Sequence, residues 1–293
     1  MQNLLKNLTR HLYVFGTAGE GYAVTRGQFE RVCHVFHEEM SENDSHPMVG
    51  VISLSQMEVM ERIEWSRNRG FRSFQISLPS WGALTEAETR RYFRDVCGAF
   101  PDCDFLHYNL MRTKRLVTAQ EYAILAAENP NLVATKNSTG DAERITELLR
   151  CAPTLTHFFT EPGYATGSLI GPCGFLVSIA SCNFAKARCF FEAGFHRDRD
   201  QLLEMQQELN AIIVDLISTA HNEAHMDGAY DKAFCRLHDQ DYPLRLLPPY
   251  ETLSDKTFIS FRDLLLFKYP LWSPAKILLS GPEVSSPAPE NHS

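Results

Sequence analysis

Hydrophobic and polar positions follow two periods along the chain: short apolar runs rich in β-branched and aromatic residues, and longer amphipathic stretches of helical period. This alternation is typical of repeated βα units, in which a helix follows and covers each buried parallel strand. The predicted strands span residues 12–15, 48–53, 71–77, 104–109, 131–136, 156–160 and 174–180. The predicted helices between them lie near residues 25–40, 56–69, 85–99, 118–129, 140–150 and 183–194, several opening at a threonine N-cap (Thr25, Thr85 and Thr118).

These units predict an α/β fold, a TIM (β/α)8-type barrel that lacks its first strand. Such a barrel has eight strands, whereas the chain supplies seven strand patterns. It begins with a helical segment, residues 1–11, that leads directly into the first of them. The absent piece would therefore be the first strand and its loop.

The pattern changes after residue 195, where no further strand is evident. Three helical runs, near residues 197–222, 227–238 and 253–268, predict a C-terminal helical extension. The last residues are rich in proline, serine and glutamate, a composition typical of disorder. We therefore expect a catalytic barrel domain (1–195), a helical subdomain packed on the barrel (196–280) and a disordered tail (281–293).

Composition narrows the class of partner. The chain has 293 residues, 44% of them hydrophobic, and a net charge of −8. An acidic surface repels nucleic acid and anionic membranes, so neither is expected as a partner, and a small molecule is more natural. Eight scattered cysteines without a C-x-x-C pair indicate free thiols rather than a metal site, and no signal or membrane-spanning segment is evident. The expected location is cytoplasmic.

Lys136 ends an apolar run, "NLVATK", at the carboxyl end of the sixth strand position. In a barrel this end carries the chemistry, because the βα loops build that face. Burial disfavours a charged ammonium, so we expect a neutral amine that can attack a carbonyl. The alternative is a strand-end lysine that reaches water or pairs with a carboxylate such as Asp141.

Two further segments can serve such a lysine. Tyr108 ends the preceding strand, where its phenol can transfer protons near the amine, although an isolated tyrosine is more often a core residue. The segment "GTAGEG", Gly16 to Gly21, has three glycines and the Thr17 hydroxyl, and it can bind a carboxylate or simply form a tight turn. His221 and His225 have the i, i+4 spacing of a helical metal pair, but no third ligand is evident and a surface helix is the simpler explanation.

Together these segments resemble the N-acetylneuraminate lyase and dihydrodipicolinate synthase family of class I aldolases. "FGTAGEGYAVT" resembles the family's G-T/S-T-G-E-G-x-x-L-T segment, "HYN" its Y-N motif, and "VATKNSTGD" its K-x-S-S-G-D segment around the Schiff-base lysine. "DYPLRLLPPY" is similar to the family's R-x-P-L-x-P stretch, so the resemblance covers nearly the whole chain.

The resemblance implies a role for each matching residue. Lys136 would form an imine with pyruvate or another 2-oxo acid, and Tyr108 would act as the general acid/base. Thr17, with the backbone amides of Thr17 and Ala18, would hold the carboxylate, while Glu20 would support the loop. No metal or organic cofactor is implied, and the family implies a homo-oligomer, a dimer or a tetramer.

The chain departs from the family pattern at Ala18, which replaces a second hydroxyl, and at Trp81, which stands in "LPSW" where the synthases carry a relay tyrosine. The loop "MRTKR" offers Arg112, Lys114 and Arg115 to an acidic substrate tail, with Arg112 the residue we choose. Val177, on the last predicted strand, completes the predicted substrate-binding set.

The sequence thus predicts a carbon–carbon lyase, a Schiff-base aldolase that takes a 2-oxo acid and an aldehyde. Two alternatives stay open. One is a catalytically impaired relative that acts as a binding or regulatory subunit, favoured by Ala18, Trp81 and the absent strand. The other is a hydratase-aldolase of aromatic pyruvate adducts, a branch of the family that Trp81 suggests.

Overall fold

Seven parallel strands form one sheet, paired in chain order, in a computed structural model that describes residues 1–41, 44–177 and 179–274. The predicted disordered tail, residues 281–293, lies outside the described residues. The strands are β1 (His11–Val14), β2 (His46–Gly50), β3 (Ser73–Ile76), β4 (Asp104–Asn109), β5 (Leu132–Asn137), β6 (Thr156–Phe159) and β7 (Gly174–Phe175).

Helices follow the strands and then form the C-terminal extension. The predicted caps are in place, since Thr85 and Thr118 each complete a capping box and the Gln28 amide donates to Thr25 Oγ1 at 3.3 Å. The helices are α1 (Gln2–Asn7), α2 (Arg26–Ser41), α3 (Gln56–Arg67), α4 (Glu86–Ala99), α5 (Ala119–Glu128), α6 (Ala142–Cys151), α7 (Glu161–Ile170), α8 (Phe184–Phe195), α9 (Arg199–Ala220), α10 (Asp227–Arg236) and α11 (Asp255–Lys268).

The sheet curls into a half-barrel. In a flat sheet, β1 and β5 would stand roughly 19 Å apart, four strand spacings. Instead, Lys136 Nζ on β5 lies 3.1 Å from Tyr13 Oη on β1. The contact is possible only if both side chains point into the concave face of a curled sheet. The architecture is that of a TIM-like barrel, as predicted, with seven of its strands.

A first strand of the barrel would lie between β1 and β7, the two edge strands of the sheet. Within the described part of the chain, β1 pairs only with β2 and β7 only with β6. The prediction of a strand over residues 174–180 is wrong in length, because among the described residues of this range β7 comprises Gly174 and Phe175 alone.

Helix α7 was not predicted from the sequence. Its segment contains Pro162, Gly163 and Gly167, which lower helix propensity. The glycines have a packing role instead, because a Cβ at Gly163 would collide with the Thr139 carbonyl and one at Gly167 would lie 2.8 Å from the Phe159 ring. Close packing against Thr139 and Phe159 therefore requires glycine at these positions, and the glycines weaken the helical pattern in the sequence.

The extension packs on the half-barrel as an integral layer. Helix α9 buries Leu202, Leu209, Ile212 and Leu216, and each fully buried leucine contributes about 2 kcal/mol. Its buried side chains belong to the same hydrophobic cluster as those of the barrel strands and helices. No helix in the described ranges is long and apolar enough to cross a bilayer. All eight cysteines are free.

Candidate active site

Lys136 and Tyr108 are neighbours at the carboxyl ends of β5 and β4, as the sequence predicted. They are paired in the parallel ladder, and both side chains are buried. Lys136 Nζ lies 4.2 Å from the centroid of the Tyr108 ring. The Tyr108 hydroxyl lies 3.4 Å from Ser138 Oγ, so the ring rather than the hydroxyl faces the amine.

Tyr13 is a site residue that the sequence interpretation missed. Lys136 Nζ donates a hydrogen bond to Tyr13 Oη at 3.1 Å. Tyr13 stands three positions before Gly16 on β1. Alternation along the strand places it on the inner face, but only the curl of the sheet shows that it reaches β5.

These phenols affect the pKa of Lys136. Burial acts to lower the pKa of the amine, but Tyr13 and Tyr108 outweigh it, and the pKa is raised above its ordinary value. Glu161 contributes in the same direction. This direction is opposite to the one expected for a neutral amine. A proton that the amine holds must leave before the nitrogen can attack a carbonyl.

The "GTAGEG" loop lies directly against Tyr13. A Cβ on residue 16 would collide with the Tyr13 hydroxyl, so only glycine admits the phenol here. The next residue, Thr17, is buried, and among the described residues its Oγ1 has no hydrogen-bond partner. An unsatisfied buried hydroxyl costs about 1–3 kcal/mol. Its place beside the Tyr13–Lys136 contact suits the binding of an anionic ligand.

The helical extension supports this loop. Glu20 is buried, accepts a hydrogen bond from Lys232 Nζ at 2.5 Å and another from the Leu247 amide at 2.5 Å. At Gly228, in the first turn of α10, a Cβ would lie 2.8 Å from the Ala18 carbonyl, so the helix needs glycine to approach the loop. The geometry agrees with the structural role expected of Glu20.

Buried polar side chains on the helix-facing side of the sheet lie next to Tyr108 and Lys136 in sequence. His107 Nδ1 lies 2.6 Å from Tyr122 Oη, and Thr135 Oγ1 lies 2.7 Å from His157 Nδ1. Burial lowers the pKa of His107 to about 3, so its ring is neutral at physiological pH. His107 and Thr135 immediately precede Tyr108 and Lys136 in sequence, and their hydrogen bonds attach β4 to α5 and β5 to β6.

The remaining predicted residues lie apart from the amine or are already paired. Trp81, which was predicted to bind substrate, is 82% exposed, so its indole faces solvent. Arg112 forms an ion pair with Asp227 on α10 at 2.9 Å. Val177 is half-buried and packs against the core.

Two of the basic residues in the loop after β4 are held by protein groups. Lys114 Nζ donates to the Trp81 carbonyl at 2.6 Å, and Arg115 pairs with Glu121 and donates to the Leu84 carbonyl at 3.0 Å. Arg112 and its partner Asp227 are both about half exposed, and the contact of Arg112 with a substrate carboxylate stays a prediction.

The histidine pair does not form a helical metal site. His221 caps the C-terminus of α9 in the left-handed conformation (φ 46°), and His225 lies in the connection before α10. Their i, i+4 spacing therefore does not place them on one helix face, and the surface-helix interpretation is wrong as well. Across the described part of the chain, no group of three or more His, Cys, Asp or Glu side chains is arranged to hold a metal ion.

Comparison with known sequences identifies relatives over most of the chain. The model of the dihydrodipicolinate synthetase family matches residues 1–265. A 4-hydroxy-tetrahydrodipicolinate synthase from Synechococcus sp. (strain CC9605) is 23% identical over 73% of this chain and 74% of its own length. Another from Hydrogenobaculum sp. (strain Y04AAS1) is 26% identical over 53% of each chain, so the match spans about half the length of that relative.

Solved structures share the fold. A prophage protein of the dihydrodipicolinic acid synthase family from E. coli K12, in complex with pyruvate, superposes with a TM-score of 0.81 at 16% identity, covering 91% of this chain and 89% of the other. Proteus mirabilis N-acetylneuraminate lyase gives a TM-score of 0.78 at 16% identity, covering 92% and 89%. At these identities the likeness concerns the fold alone.

Proposed function

The chain belongs to the dihydrodipicolinate synthetase family, and from this premise we propose that it is a Schiff-base aldolase or lyase of 2-oxo acids. The observation that carries the proposal is the setting of Lys136: a buried amine contacted by two phenols, beside a loop with an unsatisfied buried hydroxyl. The pyruvate complex of the E. coli relative supports a 2-oxo acid as the ligand. An aldehyde would be the second reactant or product.

In this mechanism Lys136 loses a proton and attacks the ketone, and water leaves to give a protonated imine. The imine withdraws electrons from the neighbouring carbon–carbon bond in cleavage, or gives an enamine that attacks an aldehyde in condensation. Tyr108 serves as the general acid/base for the aldol hydroxyl. Thr17 and the amides of the "GTAGEG" loop hold the carboxylate and orient the ketone toward Nζ.

Reductive trapping tests the proposal directly. We expect the folded protein, incubated with pyruvate and borohydride, to gain the mass of one reduced pyruvate, with peptide mapping placing it on Lys136. Lactate, which has no ketone, serves as the control ligand, and urea-unfolded protein controls for surface lysines. A folded sample without the adduct, or with labels spread over many lysines, would show that Lys136 is not a Schiff-base residue.

Thr17→Val separates a binding role of the hydroxyl from a structural one. Because a charge-assisted hydrogen bond contributes about 1.5–3 kcal/mol, the half-saturating pyruvate concentration for trapping should rise about 10- to 100-fold. The free energy of unfolding should stay constant or increase, since the variant removes an unsatisfied buried hydroxyl.

Thr17→Ser, which keeps the hydroxyl, is the matched control for this variant. It should retain the half-saturating concentration of the parent protein. Loss of stability in Thr17→Val without a change in half-saturation would instead assign the hydroxyl to the fold.

A second candidate function, a binding subunit without catalysis, is favoured by two observations. The half-barrel has two strand edges within the described residues, and the pKa of Lys136 is raised above its ordinary value. Such a protein would bind a 2-oxo acid at the Thr17 loop without forming the adduct, and calorimetric binding of pyruvate without trapping would distinguish it. The hydratase-aldolase alternative, which rests on Trp81, stays a prediction.

A further inference from the structure

The Tyr13 hydroxyl lies between the two groups that a 2-oxo acid would engage. On one side it accepts the hydrogen bond of Lys136 Nζ at 3.1 Å. On the other side it packs so closely on Gly16 that any Cβ there would collide with it. In a 2-oxo acid the ketone carbon is bonded directly to the carboxylate carbon. With the carboxylate on the loop and the ketone at Nζ, the Tyr13 hydroxyl is therefore beside the ketone oxygen.

Imine formation requires a group in this position. An ammonium and a ketone yield a protonated imine and water, so the nitrogen goes from three protons to one and the ketone oxygen receives two. The carbon–nitrogen bond forms and the carbon–oxygen bond breaks, with no change in oxidation state. A hydroxyl that contacts both atoms can accept a proton from nitrogen while passing its own proton to oxygen, and after two such transfers it is regenerated as phenol.

We propose that Tyr13 is a second catalytic residue of this site, which carries protons from Lys136 Nζ to the ketone oxygen as the imine forms. The inference rests on the proposed function and assigns it a step that Tyr108 does not serve. The Tyr108 ring faces Nζ and its hydroxyl lies toward Ser138. Tyr108 is then available to transfer a proton at the aldol hydroxyl, whereas Tyr13 transfers protons at the nitrogen.

Exchange of an isotopically labelled ketone oxygen of pyruvate into water, in excess of the spontaneous exchange through the hydrate without protein, measures imine formation and its reversal without a trapping agent. We expect Tyr13→Phe to lower the maximal exchange rate about 100-fold, within the range of general acid–base catalysis. The half-saturating pyruvate concentration should stay constant, the reverse of the pattern expected for Thr17→Val. Phenylalanine keeps the ring that packs on Gly16, so a purely packing role would leave the rate unaltered.

Tyr164→Phe is the matched control. It removes the same hydroxyl from a tyrosine whose hydrogen bond, 2.7 Å to the Phe191 carbonyl, joins α7 to α8 away from the amine. Its exchange rate should equal that of the parent protein. Circular dichroism and the urea midpoint establish that both variants are folded.

The outcomes separate the inference from the proposed function. No exchange and no adduct in the parent protein would overturn the proposed function. Exchange in the parent protein with an equal rate in Tyr13→Phe would overturn the proton-transfer role alone. If Tyr13→Phe does not fold, the parent protein is compared in H2O and D2O: slower exchange in D2O supports the role, and equal rates overturn it.

Discussion

Lys136→Met should abolish the pyruvate adduct and lower any aldol cleavage or condensation rate by at least about 10⁴-fold, because no other group in the site can form the imine. Methionine matches lysine in length and brings no charge that must be desolvated, so we expect the variant to fold with an undiminished urea midpoint. Intact-mass trapping and a pyruvate-release assay measure the two effects.

Lys256→Met, at an exposed position on α11, is the control for general loss of a lysine. It should keep both the adduct and the rate of the parent protein. A Lys136→Met protein that still releases pyruvate from an aldol substrate would exclude the Schiff-base mechanism, whatever the trapping result.

Lys232→Met should lower the free energy of unfolding by about 3 kcal/mol, because it leaves the buried Glu20 carboxylate without its cationic partner. Lys232 also donates to the Arg245 carbonyl at 2.5 Å, so the same change leaves a second acceptor unpaired. Urea unfolding followed by circular dichroism measures the loss. Since Glu20 belongs to the loop that carries Thr17, the half-saturating pyruvate concentration should rise as well.

Lys268→Met is the matched control, because it breaks an ion pair with Asp215 in which the lysine is half exposed. We expect it to cost less than about 1 kcal/mol, as surface ion pairs do. Adding Glu20→Gln to Lys232→Met should restore part of the stability, since the uncompensated charge is then absent. Equal losses from the two lysine variants would mean that burial of the Glu20 pair does not matter.

The ends of the strands could be predicted from the sequence because two independent signals coincide there. Apolar runs fix where β4 and β5 lie, and the parallel order of βα units then places Tyr108 next to Lys136. Capping residues such as Thr85 and Thr118 fix the helix starts in the same way, through local hydrogen bonds. These are features that a few neighbouring residues determine.

What was missed depends on contacts between distant segments. From the sequence alone, the glycines of α7 indicate a break in the helix. The structure shows that they pack against Thr139 and Phe159. The prediction for Lys136 considered burial on its own strand, whereas phenols on two other strands raise the pKa of the amine. The solvent exposure of Trp81 likewise depends on the path of a whole loop, and no local pattern records it.

The Lys136–Tyr13 hydrogen bond joins residues 123 positions apart in sequence. During folding, that contact can form only after five strands have paired and the sheet has curled. Long-range contacts of this kind form slowly, because the entropy of closing the intervening chain must be overcome first. Proton transfer at Lys136 thus requires the sheet from β1 to β5, and a chain in which that part of the sheet has not formed carries an amine without its phenol.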